Sequence, residues 1–171
     1  MEEKKFDPKK LEKLNDPKRL IDLPPWFIKD RLGPVDPKVI LDIGAGTGIY
    51  SIAFLDFFPQ SRIYACDISA TMIEWMQENV VPAYPDITPL EMHENKVPLQ
   101  DQVADLILMV NLHHELEDPA LMLAECRRLL REGGRIAICD WKKEEMDSGP
   151  PATIRISARQ VEKQLEQAGF K

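Results

Sequence analysis

The segment with the clearest capacity for chemistry is VILDIGAGTG, residues 39–48. An apolar run ends in Gly44, Gly46 and Gly48, and a helix-forming stretch follows at once. Glycine lets the backbone take positive φ and lets a ligand approach the main chain. The start of a helix offers free N–H groups to that ligand. Asp67 closes the next strand-like run, RIYACD. A carboxylate there can accept hydrogen bonds from both hydroxyls of a ribose, and Ile68 beside it would lie against the attached base. Asp42 stands inside the first strand, two residues before the first glycine. It would repel a pyrophosphate but suits a cofactor that carries an ammonium group and a sulfonium. Dinucleotide-binding turns read G-x-G-x-x-G/A. Here the pattern is G-x-G-x-G followed by Ile49, which disfavours a nicotinamide-dependent oxidoreductase.

A second set of chemical groups follows two later apolar runs: His113, His114 and Glu115 after residues 104–110, and Asp140 and Trp141 after residues 135–139. Open α/β sheets bind ligands at the carboxyl ends of their strands. An imidazole titrates near neutrality, so His113 or His114 could serve as a general base; alternatively both only structure the loop. Asp140 is a candidate on the same edge. A metal site built from His113, His114 and Glu115 is disfavoured, because consecutive side chains diverge and no second ligand cluster accompanies them.

The elements that must hold these groups alternate between strand-like and helix-like segments, the pattern of an α/β fold with a parallel sheet. Strands are expected over residues 39–43, 62–67, 87–92, 104–110 and 135–140. Pro89 puts the third of them on a sheet edge. Helices are expected over residues 49–58, after a cap at Ser69, and from Asp118-Pro119 to Leu130 with Gly133-Gly134 ending it. Ser157 and Gln160 form a capping box for a last helix, which Gly169 closes. Residues 1–37 differ, being rich in Lys, Asp and Pro. Asp7-Pro8 and Asp16-Pro17 each resemble a cap followed by proline at the first helical position. Their helices would present Leu11, Leu14, Leu20 and Ile21. Pro24-Pro25 breaks the chain, and Trp26, Phe27 and Ile28 begin a third helix that Gly33-Pro34 stops. We therefore divide the chain into a helical cap, 1–37, and a cofactor-binding domain, 38–171.

The 171 residues suffice for one domain with a short appendage, and 44% hydrophobic against 30% charged residues indicates a globular chain. No apolar run approaches the roughly 20 residues of a membrane helix. The first residues, MEEKKFDPKK, contain no signal-type segment. The expected location is the cytoplasm. A net charge of -7 and a pI near 5.0 disfavour a nucleic-acid partner. Cys66, Cys126 and Cys139 sit in apolar contexts without a CxxC pair and are read as buried thiols.

DIGAGTG resembles motif I of the class I (Rossmann-like) S-adenosylmethionine (SAM) dependent methyltransferases. ACDIS resembles their acidic second motif, VADLILMVNLHHELEDP their fourth strand and following loop, and LAECRRLLREGGRIAICDWK the next helix, turn and fifth strand. The resemblance runs over about residues 36–170 and is similar in flavour to the small-molecule, quinone-biosynthesis branch. It implies a doubly wound, mostly parallel sheet with SAM as cofactor and S-adenosylhomocysteine (SAH) as product. By position, Asp42 would engage the methionine moiety through water. Gly44, Ala45, Gly46 and Gly48 would line its carboxylate end, and Asp67 would hold the ribose. Ile68 and Met72 would touch the adenine, with Met92 and His93 near its edge, although the aspartate common in the family at that place is absent. Asn111 would offer its carbonyl to the amino group. His113, His114 and Asp140 are the catalytic candidates, and no metal is implied. Methyl transfer needs mainly alignment, because the cofactor supplies the leaving group. A small-molecule acceptor is the leading expectation, and a loop at residues 142–153 is expected to cover its site. A cofactor-binding module without turnover, or an enzyme acting on a macromolecule, are the alternatives. The sequence has no Asn/Asp-Pro-Pro-aromatic motif after the fourth strand, which speaks against a nucleobase or glutamine acceptor. Family members continue past residues 168–170 into an antiparallel hairpin that completes seven strands; its absence here points to a missing tail.

Overall fold

A computed structural model of the chain describes residues 8–171. Asp7, and with it the first capping pair, lies outside the described residues. The chain forms α1 (Pro8–Leu14), α2 (Lys18–Asp22), α3 (Pro25–Leu32), β1 (Val39–Ile43), α4 (Ile49–Phe57), β2 (Arg62–Asp67), α5 (Ala70–Asn79), β3 (Ile87–Glu91), β4 (Ala104–Val110), α6 (Pro119–Leu129), β5 (Leu130–Cys139) and α7 (Ala158–Gln167), with a 3-10 turn at His113–Glu115. The sheet order is β3-β2-β1-β4-β5, every pair parallel. This is the parallel α/β sheet expected from the alternation of elements, in the doubly wound, Rossmann-like arrangement that the family resemblance implies.

Side chains alternate across the sheet, so the central strands feed two cores. Ile40, Ile63, Ala65, Leu106 and Leu108 pack with α3, α4 and α5 residues on one face. Leu41, Ile43, Cys66, Ile107 and Met109 pack with α6 on the other, joined by Leu165 of α7. Coverage on both faces explains the unbroken apolar runs of β1 and β4. Asp42 shares the side of Ile40, and thus faces α4.

Local signals account for most boundaries. The Ser69 hydroxyl accepts from Met72 N at 3.4 Å at the start of α5. The capping box of Ser157 and Gln160 is formed at α7. Pro89 lies in β3, an edge strand as expected. In α2 the Asp16 carboxylate accepts from Lys18 N at 2.9 Å, but the helix starts at Lys18, so Pro17, expected as its first residue, is the N-cap instead of Asp16.

Three further expectations are corrected. Gly133-Gly134 does not end α6; the helix ends at Leu129 and the glycines fall inside β5. Leu130 pairs with Ala104, the chain then bulges, and pairing resumes with Arg135 opposite Leu106. A Cβ on Gly134 would stand 3.1 Å from the Ala104 carbonyl, so the glycine serves a close strand approach. Ile21 is 73% exposed rather than packed, while Leu20 joins the core. The Tyr50 hydroxyl sits 3.1 Å from the carbonyls of Arg19 and Leu23, tying α2 to α4. Ile28 and Leu32 of α3 belong to the same core as α4. Cys66 and Cys126 are buried as expected, whereas Cys139 is only half-buried. Burial pushes all three thiols up, Cys126 to about 12.

Candidate active site

The glycine turn leaves the end of β1 and is bonded back onto β2. Gly44 N and Ala45 N both donate to the Cys66 carbonyl, at 2.8 and 3.0 Å. Gly44, Gly46 and Gly48 have φ of 74, 58 and 76°, which only glycine adopts without strain. A Cβ on Gly44 would also lie 2.8 Å from the Leu112 side chain. Leu14 of α1 covers this turn, with its side chain 3.5 Å from the corresponding position on Gly46.

Asp67 is held by the same turn. One carboxylate oxygen accepts from Gly46 N at 2.8 Å and the other from Ser69 N at 2.9 Å. Each oxygen keeps a lone pair for a further donor. Asp42 is 2% exposed and accepts from the Ser51 hydroxyl at 2.6 Å. Burial raises its pKa to about 6, offset in part by the Ser51 hydrogen bond and reinforced by the nearby Asp67 charge. Two acids of unequal setting therefore flank the glycines: a buried one without a cationic hydrogen-bond partner, and a half-buried one presenting lone pairs. A ligand with an ammonium group and a diol fits this pair.

The other sequence-derived cofactor residues are less uniform. Ile68 is 64% exposed beside Asp67. Met72 is buried at the start of α5. Met92 packs among Leu41, Ile107 and Met122 in the core. His93 is exposed, its backbone paired with Lys96. Asn111, just past β4, has φ 55° and donates its N–H to the Cys139 carbonyl at 2.7 Å.

On the acceptor side, β4 and β5 bring His114 and Asp140 together across 26 residues of sequence. His114 Nδ1 lies 2.7 Å from Asp140 Oδ1, and both side chains are under 10% exposed. His114 N and Trp141 N donate to the same carboxylate at 2.9 and 2.7 Å. His113 is fully buried and turned elsewhere, its Nε2 2.8 Å from the Gln164 side chain of α7. Asp140 and Asn111 line a groove of about 1290 Å³ along the outer edge of β5, walled by Arg19 and Phe27 on one side and Leu165 on the other. Lys142, Lys143, Glu144, Met146 and Ser148 form part of its lining. Arg155, 3% exposed, organises them: its guanidinium donates to the carbonyls of Lys142, Glu144, Ser148 and Pro150. Among the described residues no group of three or more potential metal ligands occurs.

Sequence reasoning missed Ser51, Gln164 and Arg155. Ser51 left one signal, a polar residue on the apolar face of IYSIAFLDF. Gln164 and Arg155 left none.

Residues 41–138, more than half of the chain, match the profile of the family described as "Methyltransferase domain". The chain belongs to the methyltransferase domain family. A solved structure of a SAM-dependent methyltransferase from Aquifex aeolicus is similar to this methyltransferase domain, with 36% identity and a TM-score of 0.88, covering 98% of this chain and 90% of that one. Among curated proteins, a malonyl-[acyl-carrier protein] O-methyltransferase of Methylococcus capsulatus is 28% identical over 81% of this chain and 54% of its own length. A ubiquinone/menaquinone biosynthesis C-methyltransferase of Desulfotalea psychrophila is 25% identical over 74% of this chain and 48% of its own. This methyltransferase domain thus spans about half the length of these two curated relatives. None of its described helices is long and apolar enough to cross a membrane.

Proposed function

We propose that the chain binds SAM in the glycine turn and transfers its methyl group to a small-molecule acceptor in the cytoplasm. The observation that carries this reading is the Asp67 carboxylate resting on Gly46 N–H, within a turn flanked by buried Asp42. In this reading Asp42 and the N–H groups of residues 44–48 hold the methionine moiety, Asp67 the ribose, and Ile68 and Met72 the adenine. Met92 and His93 stand toward the adenine edge, and the Asn111 carbonyl meets the amino group. When bound, the cofactor supplies a methyl carbon activated by positive sulfur. The protein's part is to hold the acceptor in line with it, an alignment worth on the order of 7–11 kcal/mol at best. In this reading the groove along the outer edge of β5, which reaches Asn111 and Asp140 just past β4 and β5, is the place for the acceptor. The names of the relatives suggest two acceptor chemistries, a carrier-bound acid and a quinone precursor. The acidic net charge of -7 speaks against a nucleic acid.

Calorimetric titration tests the reading. SAM and SAH should bind with micromolar affinity, about -8 kcal/mol, and NAD should not. Asp67→Ala should abolish binding while leaving the fold intact by circular dichroism. Absence of SAM and SAH binding by folded protein would refute the proposal.

A further inference from the structure

We infer, resting on the methyltransferase reading, that Arg19 is a further cofactor-binding residue, and that its guanidinium takes the carboxylate of the cofactor's amino-acid end. The helical segment before β1 then completes the cofactor site rather than only covering the domain.

Arg19 belongs to α2, yet both its backbone and its side chain are tied to the glycine turn and the helix that follows it. The Tyr50 hydroxyl, near the start of α4, lies 3.1 Å from the Arg19 carbonyl. Arg19 Nη1 donates to the Leu14 carbonyl at 3.0 Å, and the Thr47 hydroxyl of the turn donates to the same carbonyl at 3.4 Å. The Leu14 side chain lies over Gly46. The guanidinium carbon stands 5.8 Å from the centre of the Tyr50 ring. A half-buried cation is thereby held beside the turn.

That cation has no acid to neutralise it. Among the described residues no carboxylate lies within 4 Å of Arg19, although Asp16 and Asp22 are each three residues away. Arg128 and Arg131, by contrast, pair with acids, and Arg155 is engaged by four carbonyls. The Arg19 charge reaches Asp42: burial raises the pKa of that acid, and Arg19 is among the influences that lower it. Asp42 and Arg19 thus present opposite charges to the turn without bonding to each other. An amino-acid zwitterion, with its ammonium toward the acid and its carboxylate toward the guanidinium, matches the pair.

The turn alone is short of donors for that carboxylate. Gly44 N and Ala45 N donate to the Cys66 carbonyl, Gly46 N to Asp67 and Gly48 N to the Ala45 carbonyl. An incoming anion receives only a shared hydrogen bond from each of these four. A guanidinium supplies unshared donors, and in a fork that meets both carboxylate oxygens.

Arg19 also faces space that a ligand can occupy. It lines the groove, as does Asn111. Asn111 is followed by Leu112, whose side chain a Cβ on Gly44 would meet at 2.8 Å. One end of the groove therefore adjoins the glycine turn from two sides, through Leu14 and Thr47 beside Arg19 and through Leu112 beside Asn111.

The probes are SAM and decarboxylated SAM, which keeps the ammonium and the sulfonium and lacks only the carboxylate. Calorimetry on the full chain should show wild type binding SAM at least tenfold more tightly than the decarboxylated form. Arg19→Gln should lower SAM affinity tenfold or more without weakening decarboxylated SAM, so that the preference disappears. Arg19→Lys keeps the charge but not the fork and should restore part of it. Lys18→Gln removes a charge from the neighbouring residue, which lines the same groove, and should leave both affinities within twofold of wild type. Equal weakening of both ligands in Arg19→Gln would make Arg19 a structural tie and overturn the inference. An undiminished preference in that variant, or the same loss in Lys18→Gln, would overturn it too. Failure of folded wild type to bind SAM, SAH or decarboxylated SAM would instead undo the methyltransferase reading, and this inference with it.

Discussion

Asp42 lies on the sealed side of β1 with one hydroxyl as partner, and its titration should govern how the ligand-free protein responds to pH. Its pKa rises from 3.8 to about 6 because burial disfavours the charged form. A raised folded-state value means that the fold takes up the proton more readily than the unfolded chain. Stability from this group is full below about pH 4 and falls as pH climbs through about 6, by roughly 3 kcal/mol. Urea unfolding should therefore show Asp42→Asn stabilised over wild type at about pH 8 and nearly equal to it at about pH 4. A cationic ligand reverses the balance, so SAM affinity should strengthen in wild type, but not in Asp42→Asn, as pH rises through about 6. At this scale the sequence was most informative where residue type and local position sufficed. Asp42 and Asp67 were legible because they flank a glycine turn. The pairing of His114 with Asp140 was not, because it depends on how β4 and β5 stand side by side.

Among the elements, α6 is pinned by a charge cluster that no local motif announces. Glu125, on its buried face, accepts from Val97 N at 2.9 Å, from Arg128 at 2.6 and 2.8 Å and from Lys96 at 3.2 Å. Arg128 in turn donates to the carbonyls of Val97 and Leu99 and to Asp101. Burial pushes Glu125 up, but these hydrogen bonds outweigh it and bring its pKa to about 2. A lowered acid stabilises the fold above its ordinary value, 4.5, and loses that contribution as pH falls toward about 2. Hydrogen exchange should show residues 96–103 and α6 loosening first on acidification over that window. In Glu125→Gln the two segments should exchange faster already at neutral pH, with little further change. Strands and helix starts were readable from periodicity and caps. The end of α6 was misread because a Gly-Gly pair has two uses, stopping a helix or easing a close strand contact, and only the neighbouring strand decides between them.

Across the whole molecule, protection should follow the order of the sheet. Residues of β1 and β4 are almost fully buried between two helical layers, while β5 is half-buried beside an open groove. Local opening follows burial and contact density. Amide exchange at neutral pH should be slowest in β1 and β4 and faster in β5, at alternate residues whose N–H groups point away from β4. Uniform protection over all five strands would contradict the burial gradient. The parallel α/β plan was legible because each central strand must be apolar on both faces, whereas the strand order was not. How α1 to α3 lie over the domain was not: the contacts of Tyr50 with α2 and of Leu14 with Gly46 join residues remote in sequence.

Arg155 has a consequence best put in polymer terms. By gathering four carbonyls it turns the segment from Lys142 onward, 13 residues before it, into a chain of small rings joined at one node. The entropy of closing those rings is spent during folding. A molecule entering the groove then meets a rim that is already ordered and has little configurational freedom left to surrender.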